Sequence, residues 1–368
     1  MSALSGVSSM NGTLESRGDP IMDLFLEDHV MKKATLTRAV LLVSLVLVAS
    51  AAAQQTARSS RFGRGGPYGD WQVKVQFGER EMDAILSFSR NSEGNLTAQW
   101  ISFWGATELK DVAFEEGKLS FVLVVRFGDN DFTSNFTGAI EDGQLTGVLS
   151  SDRGESKVKG VRSPRIARAV GNWQMKFKVG EREITTTLVV RNDKEGNLTG
   201  EWESPWGEHV ITDIAYERGN LAYKRTSKFQ DREFASTFEG AIEGDTLSGT
   251  IKSEMGEITV QGARIGADLI GTWNLDVDSE RGMRRQRLRV NADMTGLYGT
   301  VPIKKVNLEE GSVDFMMVME YGDQSFEMTF RGKLEDAKLT GEMTTSRGTR
   351  KITGTKVIRP TRGRPRTR

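Results

Sequence analysis

Gly69-Asp70-Trp71-Gln72 is the stretch that decides the fold, because it opens a block of sequence that the chain repeats twice more. The corresponding stretches are Gly171-Asn172-Trp173-Gln174 and Gly271-Thr272-Trp273-Asn274. The three tryptophans are spaced 102 and 100 residues apart. Self-similarity at such a regular interval is typical of a chain built from repeated structural units.

Further landmarks recur in the same order in each block, which we place at residues 68–164, 170–265 and 270–360. A Phe-x-x-x-Phe-x-Gly motif lies in the second half of every block, and each block closes on Gly-x-basic. The copies of the motif begin at Phe132, Phe234 and Phe326, and the closing triplets are Gly160-Val161-Arg162, Gly262-Ala263-Arg264 and Gly354-Thr355-Lys356. The sequence therefore predicts three tandem modules.

Within a block the apolar residues alternate with polar ones, as Phe132, Ser134 and Phe136 do along one face of an extended segment. Turn residues return roughly every ten to fourteen positions, and no stretch after Gly66 has the apolar stripe of a helix. This pattern predicts an all-β chain, with about eight short strands per module in an antiparallel meander. Closing each meander into a small up-and-down barrel would hide both sheet edges; open sheets or sandwiches are the alternatives.

The amino-terminal region has the pattern of a secretory signal peptide at residues 31–53. Met31-Lys32-Lys33 is basic, an apolar run from Ala39 to Ala49 follows, and small residues lead to a cleavage site near Ala53 and Gln54. The apolar run is short for a transmembrane helix, which makes an uncleaved anchor the weaker alternative. We therefore expect a periplasmic or secreted bacterial protein with no membrane span after cleavage.

The segments around the signal peptide carry no folding pattern. Residues 1–30 are polar and patternless, and translation starting at Met31 would make them a mis-assigned upstream segment. Residues 54–67 read as a flexible linker rich in Arg, Ser and Gly. Residues 361–368 form a basic tail, either solvated or in contact with an anionic envelope surface.

Composition excludes several classes of function. The chain has 50 basic and 50 acidic side chains, so no overall field favours nucleic acid. It has no cysteine, which excludes disulfides, thiolate catalysis and an acylated-cysteine anchor. Of its two histidines, His29 precedes the cleavage site, and we expect His209 to lie in an exposed loop. One histidine cannot make a metal site unaided, so no metal or other cofactor is expected.

The remaining candidates for chemistry are carboxylates and aromatic side chains. Glu201 and Glu203 share a strand face opposite Trp202, where alternating charges are typical of a solvated surface, so we expect no catalytic residue. Tryptophans recur in pairs in the first two blocks but not in the third. The predicted ligand-binding residues are Trp100, Trp104, Trp202 and Trp206. One ring of each pair should face the core, and the second could rim a barrel mouth and stack on a sugar or an apolar ligand.

The opening Gly-x-Trp and the basic residue on the last strand of each block resemble the calycin pattern of lipocalins and their relatives. The resemblance implies that each Trp plugs the closed end of an up-and-down barrel and that a cation packs over its indole. The implied plugs are Trp71, Trp173 and Trp273, covered by Arg162, Arg264 and Lys356. A guanidinium gains cation–π attraction over an indole, and a lysine stacks less well. Such blocks also resemble uncharacterised domains of bacterial envelope proteins.

These observations predict a non-catalytic, exported protein of the bacterial cell envelope. It would bind a small apolar or carbohydrate-like ligand at the barrel mouths, or serve as an adhesion protein or scaffold. Each block is shorter than a typical lipocalin, so its own side chains could fill the barrel. A pure structural spacer and a hydrolase that uses carboxylates alone are the alternatives.

Overall fold

The computed structural model describes residues 66–127, 130–193, 195–229, 232–279, 282–321 and 324–357. These residues form strands and turns without a helix, and the strands make three antiparallel sheets in chain order. The predicted all-β class with three tandem meander modules is confirmed. The upstream segment, the signal peptide, most of the linker and the basic tail lie outside the described residues.

The strand bounds follow the repeats. In the first module the strands are β1 (Gly69–Phe77), β2 (Arg80–Arg90), β3 (Leu96–Ser102), β4 (Gly105–Glu108), β5 (Lys110–Glu115), β6 (Lys118–Phe127), β7 (Asn130–Glu141), β8 (Gln144–Ser151) and β9 (Gly154–Arg162). In the second module they are β10 (Gly171–Val179), β11 (Arg182–Asn192), β12 (Leu198–Glu203), β13 (Glu208–Glu217), β14 (Asn220–Phe229), β15 (Arg232–Glu243), β16 (Thr246–Ser253) and β17 (Gly256–Arg264). In the third module they are β18 (Gly271–Val277), β19 (Arg284–Val290), β20 (Gly296–Tyr298), β21 (Val301–Glu309), β22 (Ser312–Tyr321), β23 (Gln324–Glu335), β24 (Lys338–Thr345) and β25 (Gly348–Lys356).

The predicted eight strands occur in the second and third modules, and the first has nine. The extra strand arises because β4 and β5 are separated at Leu109, just before Asp111, whose φ of 50° is left-handed. In the second module the equivalent Asp213 has a φ of 51°, and the strand β13 continues through it with a bulge. A bulge bends the strand and strengthens its twist, which helps the sheet to curve.

Each sheet curls until its last strand pairs with its first. The third sheet is a closed barrel from β18 to β25. In each of the other two sheets, one pair of strands lacks the hydrogen-bonded ladder that would close the barrel. These strands are β4 and β5 in the first module and β12 and β13 in the second. In the first module the amide of Leu109, between β4 and β5, donates to the Ala98 carbonyl of β3 at 2.9 Å, which extends the pairing of β3 beyond the end of β4. In the second module side chains cover the gap: a methyl group at Gly200 would lie 2.8 Å from Cγ2 of Ile211.

The Phe-x-x-x-Phe-x-Gly motif has a packing function inside each barrel. In the second module a methyl group at Gly240 would lie 2.6 Å from Cζ of Phe238, and one at Gly249 would lie 2.7 Å from the same atom. The ring therefore lies flat across two adjacent glycines. This close approach is possible only because glycine has no side chain beyond a hydrogen atom. A second ring stacks on it from β14, because Tyr223 and Phe238 have centroids 4.8 Å apart at an interplanar angle of 18°.

The first and third modules contact each other through polar groups. The carboxylate of Asp70, next to the first repeat tryptophan, accepts hydrogen bonds from Arg287 at 3.2 and 3.3 Å. Arg289 also approaches Asp70 at 3.4 Å. The side-chain amide of Gln286 donates to the carbonyls of Ser102 and Phe103, in the turn between β3 and β4. The ring of Phe103 packs against the core of the third module, so this turn anchors one module to the other.

Candidate functional site

The three repeat tryptophans occupy the same place in each module. Trp71, Trp173 and Trp273 are fully buried, and the indole N–H of each donates to the carbonyl four residues earlier. For Trp173 this acceptor is Ala169, at 2.9 Å. A buried indole usually needs such a partner for its polar edge. The segment before each first strand is therefore tied across the end of its barrel.

A cation from the last strand covers each of these indoles. The guanidinium carbons of Arg162 and Arg264 lie 4.5 and 4.0 Å from the ring centroids beneath them, whereas the Nζ atom of Lys356 lies 5.8 Å away. Arg264 also donates to the Val170 and Arg168 carbonyls at 2.6 and 2.7 Å, so the cation fixes the same segment that the indole holds. Burial lowers the pKa of Arg264, although Asp245 acts in the opposite direction.

The predicted ligand-binding tryptophans fall into two environments. Trp100 and Trp202 are buried in the cores of their modules, on β3 and β12. Trp104 is partly buried and lies edge-on to Phe103 at 5.1 Å between ring centroids, in the turn that contacts the third module. Trp206, its counterpart in the second module, is 49% exposed. Of the two tryptophans predicted to lie at a rim, Trp206 is about half exposed, whereas Trp104 is partly buried.

The connectivity places Trp206 and Trp173 at opposite ends of the second module. Strand β10 runs away from Trp173, and the turns after β10, β12, β14 and β16 gather at its far end. Trp206 lies in the turn after β12, so the covered indole and the exposed indole mark the two ends of one barrel-like sheet. We refer to the Trp206 end of the second module as its open end.

His209 differs from the expectation of an exposed loop. It lies on β13, and its ring packs edge-on to Trp202 with 6.5 Å between centroids. Its Nδ1 is 2.9 Å from Oγ of Ser227, and its buried Nε2 has no hydrogen-bond partner among the described residues. Burial, with a smaller contribution from the nearby charge of Arg225, lowers the pKa of His209, although the backbone of Trp206, which accepts from the ring, acts in the opposite direction. The loop prediction was wrong because β13 begins at Glu208, directly after Gly207, so His209 already lies in the strand.

Arg225 projects from β14 over the same indole. Its guanidinium carbon lies 4.5 Å from the centroid of Trp202, and its Nε donates to Oγ of Ser236 at 3.3 Å. Burial lowers the pKa of Arg225, and no carboxylate of the described residues pairs with it. At the same position the first and third modules have Leu123 and Met317, both buried. A cation at this position of the repeat thus occurs only in the second module.

Two buried hydroxyls extend this difference between modules. Tyr223 is 3% exposed and its Oη has no hydrogen-bond partner among the described residues; burial raises its pKa. The equivalent residues in the other modules are Phe121 and Phe315. Thr186 is also buried with an unpartnered hydroxyl, and it lies two residues before Leu188, the cross-strand partner of Trp202. Most buried polar groups in proteins are paired, so this concentration requires an explanation.

These side chains form what we call the second-module polar cluster: Thr186, His209, Tyr223 and Arg225 around Trp202. The cluster can supply hydrogen-bond donors to a bound molecule, with aromatic surface beside them. The carboxylates considered for catalysis are elsewhere, because Glu201 and Glu203 are exposed on the outer face and Glu201 pairs with Arg191 at 3.4 Å.

No group of three or more His, Cys, Asp or Glu side chains in the described ranges could hold a metal ion. Within those same ranges, no helix has the length and apolar character to cross a membrane.

The sequence pattern predicted Trp202 and Trp206 as ligand-binding residues, but it did not single out Thr186, Tyr223 or Arg225. The signal that would have found them is the alignment of the three repeats. Counted from the first residue of β14 and its equivalents, the fourth position is aromatic in all modules, but the sixth is apolar in two modules and arginine in one. A cation at a position that is otherwise apolar in the repeat indicates a change of role.

No protein-family model matches the sequence, and the search of curated proteins also found no match. Among solved structures, the chain is similar to a protein of unknown function from Nostoc punctiforme PCC 73102, at 13% identity and a TM-score of 0.20 over 79% of this chain and 96% of that one. It is also similar to transferrin binding protein B from Haemophilus parasuis Hp5, at 10% identity and a TM-score of 0.21 over 80% and 77% of the two chains. TM-scores this low do not indicate a shared fold or function.

Proposed function

We propose that the protein is a non-catalytic, exported binding protein of the bacterial cell envelope, in which the second module binds a small ligand at its open end. The observation that carries this proposal is the polar cluster beside Trp202, with its unpartnered buried hydroxyls, in the module that also exposes the indole of Trp206. Pockets that bind small molecules combine apolar walls with a few convergent polar groups. Export rests on the signal-peptide pattern of residues 31–53.

In this proposal the first and third modules are scaffold. The residues equivalent to Tyr223 and Arg225 are apolar in both, and the turn that carries Trp104 is adjacent to the contact with the third module. We also propose that the tryptophan–cation pairs at the closed ends are calycin-like plugs. A full burial of the indole and a cation over its face support that structural role.

The gap between β12 and β13 supports entry into the second module. Two strands joined by side chains alone can separate at less cost than two strands joined by a hydrogen-bonded ladder. Here the covering side chains, Ile211 and Ile214, pack over Gly200. His209 lies on β13 near this gap, so separation of β12 from β13 would expose the polar cluster.

The test is a titration of residues 54–368 that monitors intrinsic tryptophan fluorescence against sugars, apolar ligands, organic acids and envelope extracts. The two informative variants are Trp206→Ala and its counterpart Trp104→Ala. We expect a saturable change that is lost with Trp206→Ala and kept with Trp104→Ala. A well-folded protein that responds to none of these would instead favour a spacer without a ligand. Turnover that depends on Glu201 would favour the hydrolase.

A further inference from the structure

We infer that the ligand of the second module is a small organic anion, whose carboxylate-type head group is received by Arg225, His209 and Tyr223 and whose body is apolar or aromatic. This inference rests on the proposed function and specifies the chemical class of its ligand. The balance between donors and acceptors in the second-module polar cluster supports this class of ligand.

The cluster is rich in donors. The hydroxyls of Tyr223 and Thr186 are buried without partners among the described residues, and the buried Nε2 atom of His209 makes no hydrogen bond of normal geometry there, with the backbone of Trp206 as its nearby acceptor. When Ser227 donates its hydroxyl proton to Nδ1 at 2.9 Å, the neutral ring of His209 carries its proton on Nε2 and becomes a donor as well. Every one of these groups can therefore donate, and a ligand that offers acceptors would satisfy them together.

Arg225 adds a positive charge that acts on both His209 and Tyr223. One face of its guanidinium is covered by Trp202 and its Nε is used by Ser236, which leaves the two terminal nitrogens for another acceptor. Arginine presents these two nitrogens in a fork that matches a carboxylate or a phosphate. A partly buried charge without a partner is costly, and a bound anion would offset that cost.

The surroundings of the cluster favour an organic ligand over an inorganic ion. Trp202 lies 6.4 Å from Tyr223 and 6.3 Å from Phe177 between ring centroids, and all three rings belong to or pack against one core. Beyond the cluster, at the open end, Trp206 exposes half of its surface. An anionic head at Arg225 would leave the rest of the ligand against aromatic rings, where an apolar body is stabilised.

The first module supplies in-chain controls for each polar group. Its residues at the positions of Arg225 and Tyr223 are Leu123 and Phe121, in a module with the same strands and the same ring stack. Arg225→Leu and Tyr223→Phe therefore remove the charge and the hydroxyl by substitutions that this fold already accommodates. Arg126→Leu removes an exposed arginine of the first module and controls for the change in net charge.

The experiment is isothermal titration calorimetry of residues 54–368 with charged and neutral probes of matched size. The carboxylates are benzoate and octanoate, the neutral probes are benzyl alcohol and octanol, and inorganic phosphate tests for recognition of charge alone. We expect a carboxylate to bind the wild-type protein at least about tenfold more tightly than its neutral match, since charge-assisted hydrogen bonds are the stronger kind. We also expect Arg225→Leu to lose that preference, Tyr223→Phe to weaken it, and Arg126→Leu to keep it.

Five results would overturn the inference. One is equal affinity for a carboxylate and its neutral match, and another is unchanged carboxylate affinity in Arg225→Leu. The third is phosphate binding as tight as carboxylate binding, because it would show that no organic body is needed. If sugars or neutral probes bind with a response that depends on Trp206 and no carboxylate binds, the inference fails and the proposed function stands. If no probe binds at all, both fail.

Discussion

The guanidinium carbon of Arg225 lies 4.5 Å from the ring centroid of Trp202, whereas the first module sets Leu123 in the same core as Trp100. Two modules with the same strand order and the same closed-end tryptophan therefore differ in the chemistry of their interiors. The three modules share one framework, and the second differs from the other two in the polarity of a few inward-facing side chains. This relationship leads to predictions about stability as well as binding.

The first prediction concerns the stability cost of Arg225. Arg225→Leu should not lower the free energy of unfolding, because removing a partly buried, unpaired charge offsets the lost attraction to Trp202 of about 0.5–2 kcal/mol. The measurement is urea denaturation of the variant and the wild-type protein without ligand. A loss greater than about 2 kcal/mol would show that Arg225 supports the fold instead of a ligand.

The second prediction concerns the contact between the first and third modules. Asp70→Ala should destabilise the protein by about 3–5 kcal/mol, because it leaves the guanidinium of Arg287 buried without its carboxylate. Lys74→Ala, which removes a partner of an exposed ion pair, is the control and should cost less than about 1 kcal/mol. Equal effects of the two substitutions in thermal unfolding would contradict the importance of the contact.

The same contact predicts a pH dependence. Burial alone would raise the pKa of Asp70, but Arg287, Ser87 and Arg289 together outweigh burial and hold that pKa below its ordinary value. A lowered pKa means that the stabilisation is present above the unfolded value, about 3.9, and is lost as pH falls through the folded value. Wild-type stability should therefore fall more steeply than that of Asp70→Ala below about pH 4. Parallel stability curves across this range would contradict the prediction.

The third prediction compares the cations at the closed ends. Lys356→Arg should stabilise the third module by about 0.5–1 kcal/mol, because a guanidinium can stack on Trp273 more closely than the ammonium, which lies 5.8 Å from the ring centroid. Arg264→Lys should destabilise the second module, since it also loses the hydrogen bond to Asp245 at 2.8 Å. Thermal unfolding of both variants checks the opposite signs. The same sign for both would argue against the stacking explanation.

The fourth prediction concerns the glycines beneath the stacked rings. Gly240→Ala should destabilise the protein by about 1–3 kcal/mol, because the added methyl group would lie 2.6 Å from Phe238 and 2.7 Å from the Ser248 carbonyl. Ser248→Ala, an exposed change on the neighbouring strand, is the matched control and should have little effect. If Gly240→Ala unfolds at the wild-type temperature, the flat ring packing is not required.

Much of the fold could be predicted from the sequence because its signals are local and repeated. Alternating residues such as Phe132 and Phe136 predicted the strands, and the recurring tryptophans predicted the number of modules. The site was predicted only in part. Trp206 was expected at a rim and is exposed, but the placement of His209 depends on where β13 begins, and a turn with Pro205 and Gly207 obscures that boundary.

The remaining features depend on long-range contacts, which no local pattern encodes. Asp70 resembles an ordinary polar residue before a strand, and its partner Arg287 is 217 residues away in the sequence. Tyr223 resembles another aromatic core residue until its hydroxyl is seen to lack a partner. The polar cluster becomes visible only when strands β11, β13 and β14 are brought together by the barrel.

The central claim is that one module of three binds a ligand, and hydrogen–deuterium exchange tests it most directly. The protein would be compared with and without a saturating carboxylate or other ligand found by titration. We predict slower exchange in β12, β13 and β14, around His209 and Arg225, with unchanged exchange in the equivalent strands of the first and third modules. Equal protection in all three modules, or protection confined to the first or third, would contradict the claim.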